Sequence, residues 1–496
     1  MSETVTNFAV NFIAFFGGAF LIVLFGGVIW ATVLYFIDKH QTHQAIRRNY
    51  PLVGRFRYIF EHLGEFFRQY FFAMDREEMP FNRAQRSWVY RAAKNLDNTI
   101  AFGSSRDLRA PGTYYFLNCP FPTLKEDAVA SMPLRIGPHC REPYDAPSFF
   151  NISGMSFGAL SRPAVESLSK GAAAANCWIN TGEGGVSPYH LEAGCDIVYQ
   201  IGTAKYGVRD VDGKLSDEKL REKAAYPQIK MFEIKLSQGA KPGKGGILPA
   251  EKVSEEIAAI RGIPVGEASN SPNRHADIGN IDELLDMVNR VRDVTGKPCG
   301  FKLVIGSTVW LDDLCQAILA RGEESAPDFI TVDSADGGTG AAPMPLMDNV
   351  GLPLRESLPI IVNKLVEHGL KKRVKVIASG KLINPTDVAG AICLGADFAV
   401  TGRGFMFALG CIQALQCNKN TCPTGITTHD PHMQRGLVPE DKAERVKHYH
   451  DNLVHEVEMI AHSCGVTEPR KLRREHAAIV VEGSRSVPLD ILYPEY

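Results

Sequence analysis

Neither sign of charge is in excess. Across 496 residues, 54 Lys and Arg face 56 Asp and Glu, a formal net charge of −2. A nucleic-acid binder that works by neutralising phosphates carries a basic surplus, so that class is excluded. Cysteine is sparse and odd in number, 11 in all; this is no disulfide scaffold and suits a reducing compartment. The 45 glycines follow no Gly-X-Y period, which excludes a collagen-like chain. Internal repeats and low-complexity tracts are lacking too. What remains is ordinary globular composition, 45% apolar and 22% charged, in a chain long enough for an α/β barrel and a smaller part.

No charge lies between Glu3 and Asp38, and from Phe12 to Ile37 only Thr32 is polar. At about 1.5 Å per residue this run reaches about 39 Å, enough to cross a hydrocarbon core of about 30 Å. Trp30 and Tyr35 sit toward one end, where an aromatic belt belongs. A cleaved signal peptide needs a basic leader and a shorter apolar core, and neither is seen. Lys39, Arg47, Arg48, Arg55 and Arg57 follow the run, so the positive-inside rule places the C-terminal bulk in the cytoplasm. The chain is thus expected to be a single-pass membrane protein: an anchor over 1–40, an amphipathic juxtamembrane region over 41–110, a barrel over 111–465 and a tail over 466–496. The aromatic and Arg-rich pattern of residues 44–110 reads equally as helices at the bilayer surface or as helices packed on the body.

From about residue 150, short apolar strands alternate with helical patterns, which argues for a parallel sheet covered by helices. Eight strands are predicted: Ile152–Ser156, Trp178–Thr181, Ile197–Ile201, Met231–Leu236, Gly300–Val304, Phe329–Asp333, Val374–Ala378 and Phe398–Thr401. Helical patterns cover Ile281–Val294, Leu354–His368 and Pro385–Leu394. The fold class is α/β, a (β/α)8 TIM barrel with its chemistry at the C-terminal strand ends. A doubly wound sheet is disfavoured because no Gly-x-Gly-x-x-Gly follows the first strand.

Seven stretches carry candidate chemistry. Ser379-Gly380 and Gly402-Arg403-Gly404 end strands seven and eight, where barrels bind phosphate through backbone N–H groups. With no Walker A pattern, a phosphorylated cofactor such as FMN is the guest that suits them. Lys302 lies inside an apolar strand, a costly place for an ammonium without a partner, and a flavin ring would supply one. Gln238-Gly-Ala-Lys-Pro-Gly-Lys-Gly-Gly246 presents cations after strand four; Lys241 and Arg261 together could hold a dicarboxylate. Cys411, Cys417 and Cys422, spaced Cys-x5-Cys-x4-Cys, suggest a metal or iron–sulfur site, with zinc and His429 as an alternative and three unrelated buried thiols as another. Asp333-Ser-Ala-Asp-Gly-Gly-Thr-Gly340 and Asn180-Thr-Gly-Glu-Gly-Gly185 are glycine-rich turns; Glu183 reads as an acid/base group or a turn cap.

Together these stretches, with Met155-Ser-Phe-Gly-Ala-Leu-Ser161, Ser271-Pro272, His275, Asp277-Ile278 and Cys417-Asn-Lys-Asn-Thr-Cys-Pro423, closely resemble the FMN-binding synthase domain of glutamate synthases over roughly residues 150–430. The head, with Arg68-Gln69-Tyr70 and Pro80-Phe81, resembles the stand-alone, membrane-anchored members of that family. The resemblance implies FMN held by Met155, Ser156, Asn180, Thr181, Lys302, Asp333, Gly337, Gly338, Ser379, Gly380, Gly402, Arg403 and Gly404. It implies a [3Fe–4S] cluster on Cys411, Cys417 and Cys422. It implies 2-oxoglutarate on Gln238, Lys241 and Arg261, with Glu183, Lys302 and Lys241 as catalytic groups. The implied reaction is reductive amination of 2-oxoglutarate to L-glutamate through 2-iminoglutarate, with hydride from reduced FMN and electrons passed through the cluster.

Departures from the family pattern shape the expectations. No segment looks large enough to hydrolyse glutamine, so nitrogen is expected as free ammonia, from a partner, or as another amine. No pyridine-nucleotide domain is visible, so electrons are expected from a ferredoxin or a separate reductase subunit. Lys244 stands where the family often has Glu. Two rival functions follow from the same residues: an amine-to-glutamate transferring subunit using, for example, methylamine, and a non-catalytic, membrane-tethered flavin and iron–sulfur electron carrier.

Overall fold

The computed structural model describes residues 3–495. Met1, Ser2 and Tyr496, at the ends of the expected anchor and tail, lie outside the described residues, as do the side chains of Arg68 and Gln69 in the head motif. The chain divides into two compact units, one ending at Ala84 and the other beginning at Gln85.

In the first unit the charge-free run forms α1 (Glu3–His40). Its Asn7–His40 stretch contains an 18-residue window of mean hydropathy 2.5 in which no residue is buried; it is the one helix among the described residues long and apolar enough to cross a membrane. Two further helices follow, α2 (Ala45–Asn49) and α3 (Val53–Phe67).

The second unit is the barrel. Eight parallel strands close on themselves in chain order: β1 (Phe150–Ile152), β2 (Ile179–Asn180), β3 (Ile197–Ile201), β4 (Ile229–Lys235), β5 (Cys299–Leu303), β6 (Phe329–Asp333), β7 (Lys375–Ser379) and β8 (Phe398–Thr401). Strand β8 pairs with β1, with Thr401 opposite Ile152. All eight predicted strands are present. The first starts two residues and ends four residues earlier than predicted, because the backbone leaves the ladder after Ser153 N–H donates to Thr401 O at 3.1 Å. The predicted helices are α5 (Ile281–Thr295), α6 (Leu354–Glu367) and α7 (Pro385–Cys393), and α4 (Arg162–Ala175) follows β1. Their starts are set locally: the Ser161, Asn280 and Asn384 side chains accept from the N–H of Ala164, Glu283 and Asp387, satisfying donors that have no partner inside the helix.

One end of the barrel is closed by a hairpin that the sequence pattern did not reveal. Leu134–Ile136 pairs antiparallel with Tyr144–Ala146, and Ile136, Tyr144 and Ala146 pack on Trp178, Met231, Phe329 and Phe398. With that end plugged by apolar side chains, the open end is the one formed by the C-terminal strand ends. Residues 477–480 and 486–488 of the expected tail form strands, the former paired antiparallel with Tyr114–Phe116.

Candidate functional site

The strand ends open into one cleft with about 1190 Å³ of space not filled by protein, mouth included. Met155, Ser156, Glu183, Gln238, Lys241, Arg261, Lys302, Asp333, Gly338, Ser379, Gly380, Gly402, Arg403 and Cys417 all line it. The remaining predicted residues do not. Asn180 lies below the floor, donating to Glu233 Oε1 at 2.8 Å, and Thr181 is turned to the Gly182 carbonyl and the Gln200 N–H. A Cβ on Gly337 would meet the Ser334 carbonyl, and one on Gly404 the Tyr449 hydroxyl. Cys411 and Cys422 are buried behind the wall.

On the floor, the Lys302 ammonium in β5 lies 3.2 Å from Asp333 Oδ2 at the end of β6. Burial opposes its charge, but Asp333 and Glu233 outweigh it and hold its pKa above the ordinary lysine value. Asp333 is fixed in turn: Ser379 Oγ donates to its Oδ1 at 2.7 Å and Gly239 N–H to its Oδ2 at 2.9 Å. Below, the buried Glu233 accepts from Asn180, from Gln200 at 2.7 Å and from Thr331 at 2.6 Å. A buried carboxylate needs such a set of donors to stay in place.

One wall gathers three cations around one anion. Glu183 Oε2 is 3.1 Å from Lys235 Nζ, the last residue of β4. Burial pushes the Glu183 carboxyl up, yet Lys235, Lys241 and Arg261 hold it below the usual range. Burial and the neighbouring Lys235 lower Lys241 to about 8. Arg261 ends the helix Glu255–Arg261 and is 4% exposed. Its guanidinium donates to Ser269 Oγ at 3.2 Å and to the Phe157 carbonyl at 3.2 Å, and lies over the Tyr206 ring; its Nε has no protein partner. Three cations against one carboxylate leave a surplus of positive charge suited to a small dianion.

The opposite wall carries Ser379-Gly380 and Gly402-Arg403 at the ends of β7 and β8. Arg403 is not aimed at this wall's backbone. Its Nη2 donates to the Thr339 carbonyl and its Nη1 lies 3.7 Å from Cys417 Sγ. Arg403 therefore links the Gly-rich Asp333–Gly340 turn to the cysteine loop. Cys411, Cys417 and Cys422 all feel its charge. Burial raises the Cys422 thiol, but hydrogen bonds from Thr424 and Thr427 bring it below the ordinary cysteine value; burial raises Cys411. A second buried cation serves the same loop: Lys252 donates to the carbonyls of Cys417 at 2.8 Å, Thr427 at 2.5 Å and Ala159 at 3.3 Å. Three thiols facing two buried cations suit a centre that binds thiolates. His429 directs Nε2 to the Gly158 carbonyl at 2.7 Å, which leaves Nδ1 as the nitrogen open to a metal.

Sequence reasoning missed Lys235, Glu233, Gln200 and Lys252. The signal for the first two was present: Glu233 and Lys235 alternate inside an apolar strand, so both point into the barrel. Nothing in the sequence around Lys252 distinguishes it from a solvated lysine.

Comparison with known proteins places this geometry in a family. Residues 124–467 match the family described as the conserved region in glutamate synthase. The glutamate synthase large subunit-like protein YerD of Bacillus subtilis is 39% identical over 502 residues, covering 93% of this chain and 95% of that protein. An archaeal glutamate synthase (NADPH) of Methanocaldococcus jannaschii is 33% identical over 370 residues, covering 74% of this chain and 68% of its own. A solved flavocytochrome b2 mutant with benzoylformate aligns over 88% of this chain and 90% of that one, at 17% identity and a TM-score of 0.47. The breadth of the match to the glutamate synthase conserved region, and the full-length likeness to a large-subunit-like protein, mean that this chain belongs to the glutamate synthase family.

Proposed function

We propose that the chain is a membrane-anchored oxidoreductase of the glutamate synthase type, which forms L-glutamate from 2-oxoglutarate and ammonia. The observation that carries this reading is the wall of Lys235, Lys241 and Arg261 around Glu183, facing a floor that holds Lys302. The backbone at Gly380 and Gly402 and the ammonium of Lys302 suit the phosphate and ring of FMN, and FMN bound there supplies a hydride. Cys411, Cys417 and Cys422 suit a [3Fe–4S] cluster, which supplies electrons singly from a separate donor such as a ferredoxin or reductase subunit.

The chain's own residues do the rest. Lys241 and Arg261 bind the two carboxylates of 2-oxoglutarate and orient it, with Gln238 beside them. Ammonia adds to the C2 carbonyl carbon, water leaves to give 2-iminoglutarate, and C2 accepts the hydride. Glu183, kept ionised by its three cationic neighbours, takes in turn the two protons that the nitrogen loses, and Lys235 at its side relays both to the oxygen, which leaves as water; the imine nitrogen takes up one proton from solvent as C2 accepts the hydride. The backbone ends of β7 and β8 exclude side-chain bulk on the opposite wall. The single apolar helix α1 anchors this site at the membrane, with the body on the cytoplasmic side.

The reading is tested by reducing the purified, full-length protein anaerobically and supplying 2-oxoglutarate with ammonia, glutamine or methylamine. Glutamate from ammonia is the expected product. N-methylglutamate from methylamine, with no glutamate from ammonia, would replace this reading with the amine-transferring one. Two substitutions sharpen it. Cys417→Ser is expected to abolish the paramagnetic resonance signal of the oxidised iron–sulfur centre; an unchanged signal would place its ligands elsewhere. Gly246→Ala is expected to cut turnover by at least about tenfold. A Cβ on Gly246 would sit 1.8 Å from Glu183 Oε1, so the carboxylate must shift from its present place in the cleft. Unaltered turnover would remove Glu183 from the chemistry.

A further inference from the structure

The segment after α1 is folded back by a buried ionic clamp. Asp38, in the last turn of α1, is fully buried although it lies among exposed apolar side chains. Arg47 donates to its Oδ1 through Nε at 3.0 Å and Nη2 at 2.6 Å. Arg55 donates through Nε to Oδ2 at 2.7 Å and through Nη2 to Oδ1 at 2.8 Å. The Leu52 N–H adds a fifth bond, at 3.1 Å. Two planar guanidiniums on one carboxylate fix direction as well as distance. Gly54 permits the fold-back: a Cβ there would stand 2.8 Å from the Ile46 carbonyl oxygen. The end of α1, α2 and the start of α3 are thus one built elbow.

That elbow presents α3 with an uncovered apolar face. Val53, Phe56, Phe60, Leu63 and Phe67 recur at spacings of three and four residues, the period of one helix face. Phe60 is 66% exposed and Phe56 58%. Glu61, also exposed, lies off this face, and Arg57, three residues before Phe60, flanks it. A helix rich in Phe on one face and charged on the other is built for the headgroup–acyl boundary.

From these observations we infer that α3 is a second membrane contact, lying along the bilayer surface with its Phe face in the lipid and held there by the Asp38 clamp. The inference rests on α1 spanning the bilayer, and continuity decides the occupant. The face begins 13 residues after α1 ends, and the clamp ties it to the very turn at which α1 leaves the lipid.

The test uses full-length protein in vesicles of phosphatidylcholine and phosphatidylglycerol in equal parts. A nitroxide label is attached through Phe60→Cys, Glu61→Cys or Ile22→Cys in turn, and the signal of identically treated parent protein is subtracted. Collisions with oxygen, which concentrates in lipid, are compared with collisions with a nickel chelate, which stays in water. Positions 60 and 22 are expected to favour oxygen, 60 at the shallower depth, and position 61 to favour the chelate. Chelate access at 60 equal to that at 61, with 22 still protected, would overturn the inference and leave the spanning helix intact. Chelate access at 22 as well would overturn both. Adding Asp38→Asn is expected to raise chelate access at 60 severalfold while 22 stays unchanged; no change at 60 would overturn the clamp.

Discussion

Replacing Asp328 by alanine is expected to remove about 3–5 kcal/mol of stability, the scale seen when one partner of a buried ion pair is deleted. Asp328 is fully buried just before β6. Its Oδ2 accepts from Arg292 Nε at 3.0 Å and from the Cys299 N–H at 2.8 Å. Its Oδ1 is paired with Arg373 at 2.9 Å. One carboxylate therefore joins α5, the start of β5 and the segment entering β7, at the end of the barrel opposite the cleft. Alanine would leave two guanidiniums buried without their counter-charge. Their remaining partners are carbonyl and amide oxygens: Glu324 O at 2.7 Å and Asn289 Oδ1 at 2.9 Å for Arg292, and Ala326 O at 3.0 Å for Arg373. These dipoles do not replace a charge. The urea midpoint of the detergent-solubilised protein is the measurement; a midpoint equal to that of the parent would mean that water reaches these groups and the pairs are screened. Ligand affinity of the protein that remains folded should be unaltered, because no atom of the cleft is involved.

How much of this was legible in the sequence depended on which physical signal each part leaves. The eight strands were readable because each is a short apolar run set between helical patterns, and closure fixes their order. Lys302 was readable because a charge inside such a run needs a reason. Lys235 carries the same signal inside the predicted run Met231–Leu236 and was passed over in favour of the glycine-rich loop that follows. The plugging hairpin consists of two three-residue strands, too short for any period to emerge. Arg403 was placed at the correct strand end, but its side chain turns to Thr339 and Cys417. Sequence order says which loop a residue occupies and not which neighbour captures its guanidinium. The juxtaposition of Lys252 with the cysteine loop is likewise tertiary. The three carbonyls it gathers belong to residues 159, 417 and 427, and no local pattern connects them.

Binding of 2-oxoglutarate is expected to weaken by about 10- to 150-fold in Arg261→Ala, which corresponds to the roughly 1.5–3 kcal/mol of a hydrogen bond to a charged group. Arg261→Lys should recover part of this loss, since it keeps the charge but not the two-pronged geometry. Parent-like affinity in Arg261→Ala, measured by titrating the ligand into the purified protein, would remove Arg261 from the site. The pH dependence then separates Lys241 from Arg261. Lys241 is held at about 8 by burial and by Lys235, so its positive charge is present below that pH and lost above it. A dianion needs the charged form. Affinity should therefore be level at lower pH and decline as pH rises through about 8, by up to about tenfold per unit once the free site is deprotonated. The sign has a second consequence. An arriving dianion stabilises the ammonium and raises its pKa, so binding near pH 8 should take up as much as about half a proton. Calorimetric titration in two buffers of different ionisation enthalpy reads that uptake directly. Lys241→Gln should lower affinity at neutral pH and abolish both the decline and the uptake, whereas Arg261→Ala should lower affinity and preserve both. Uptake that persists in Lys241→Gln would assign the titrating group to another residue and leave the dianion held by Arg261 and Lys235.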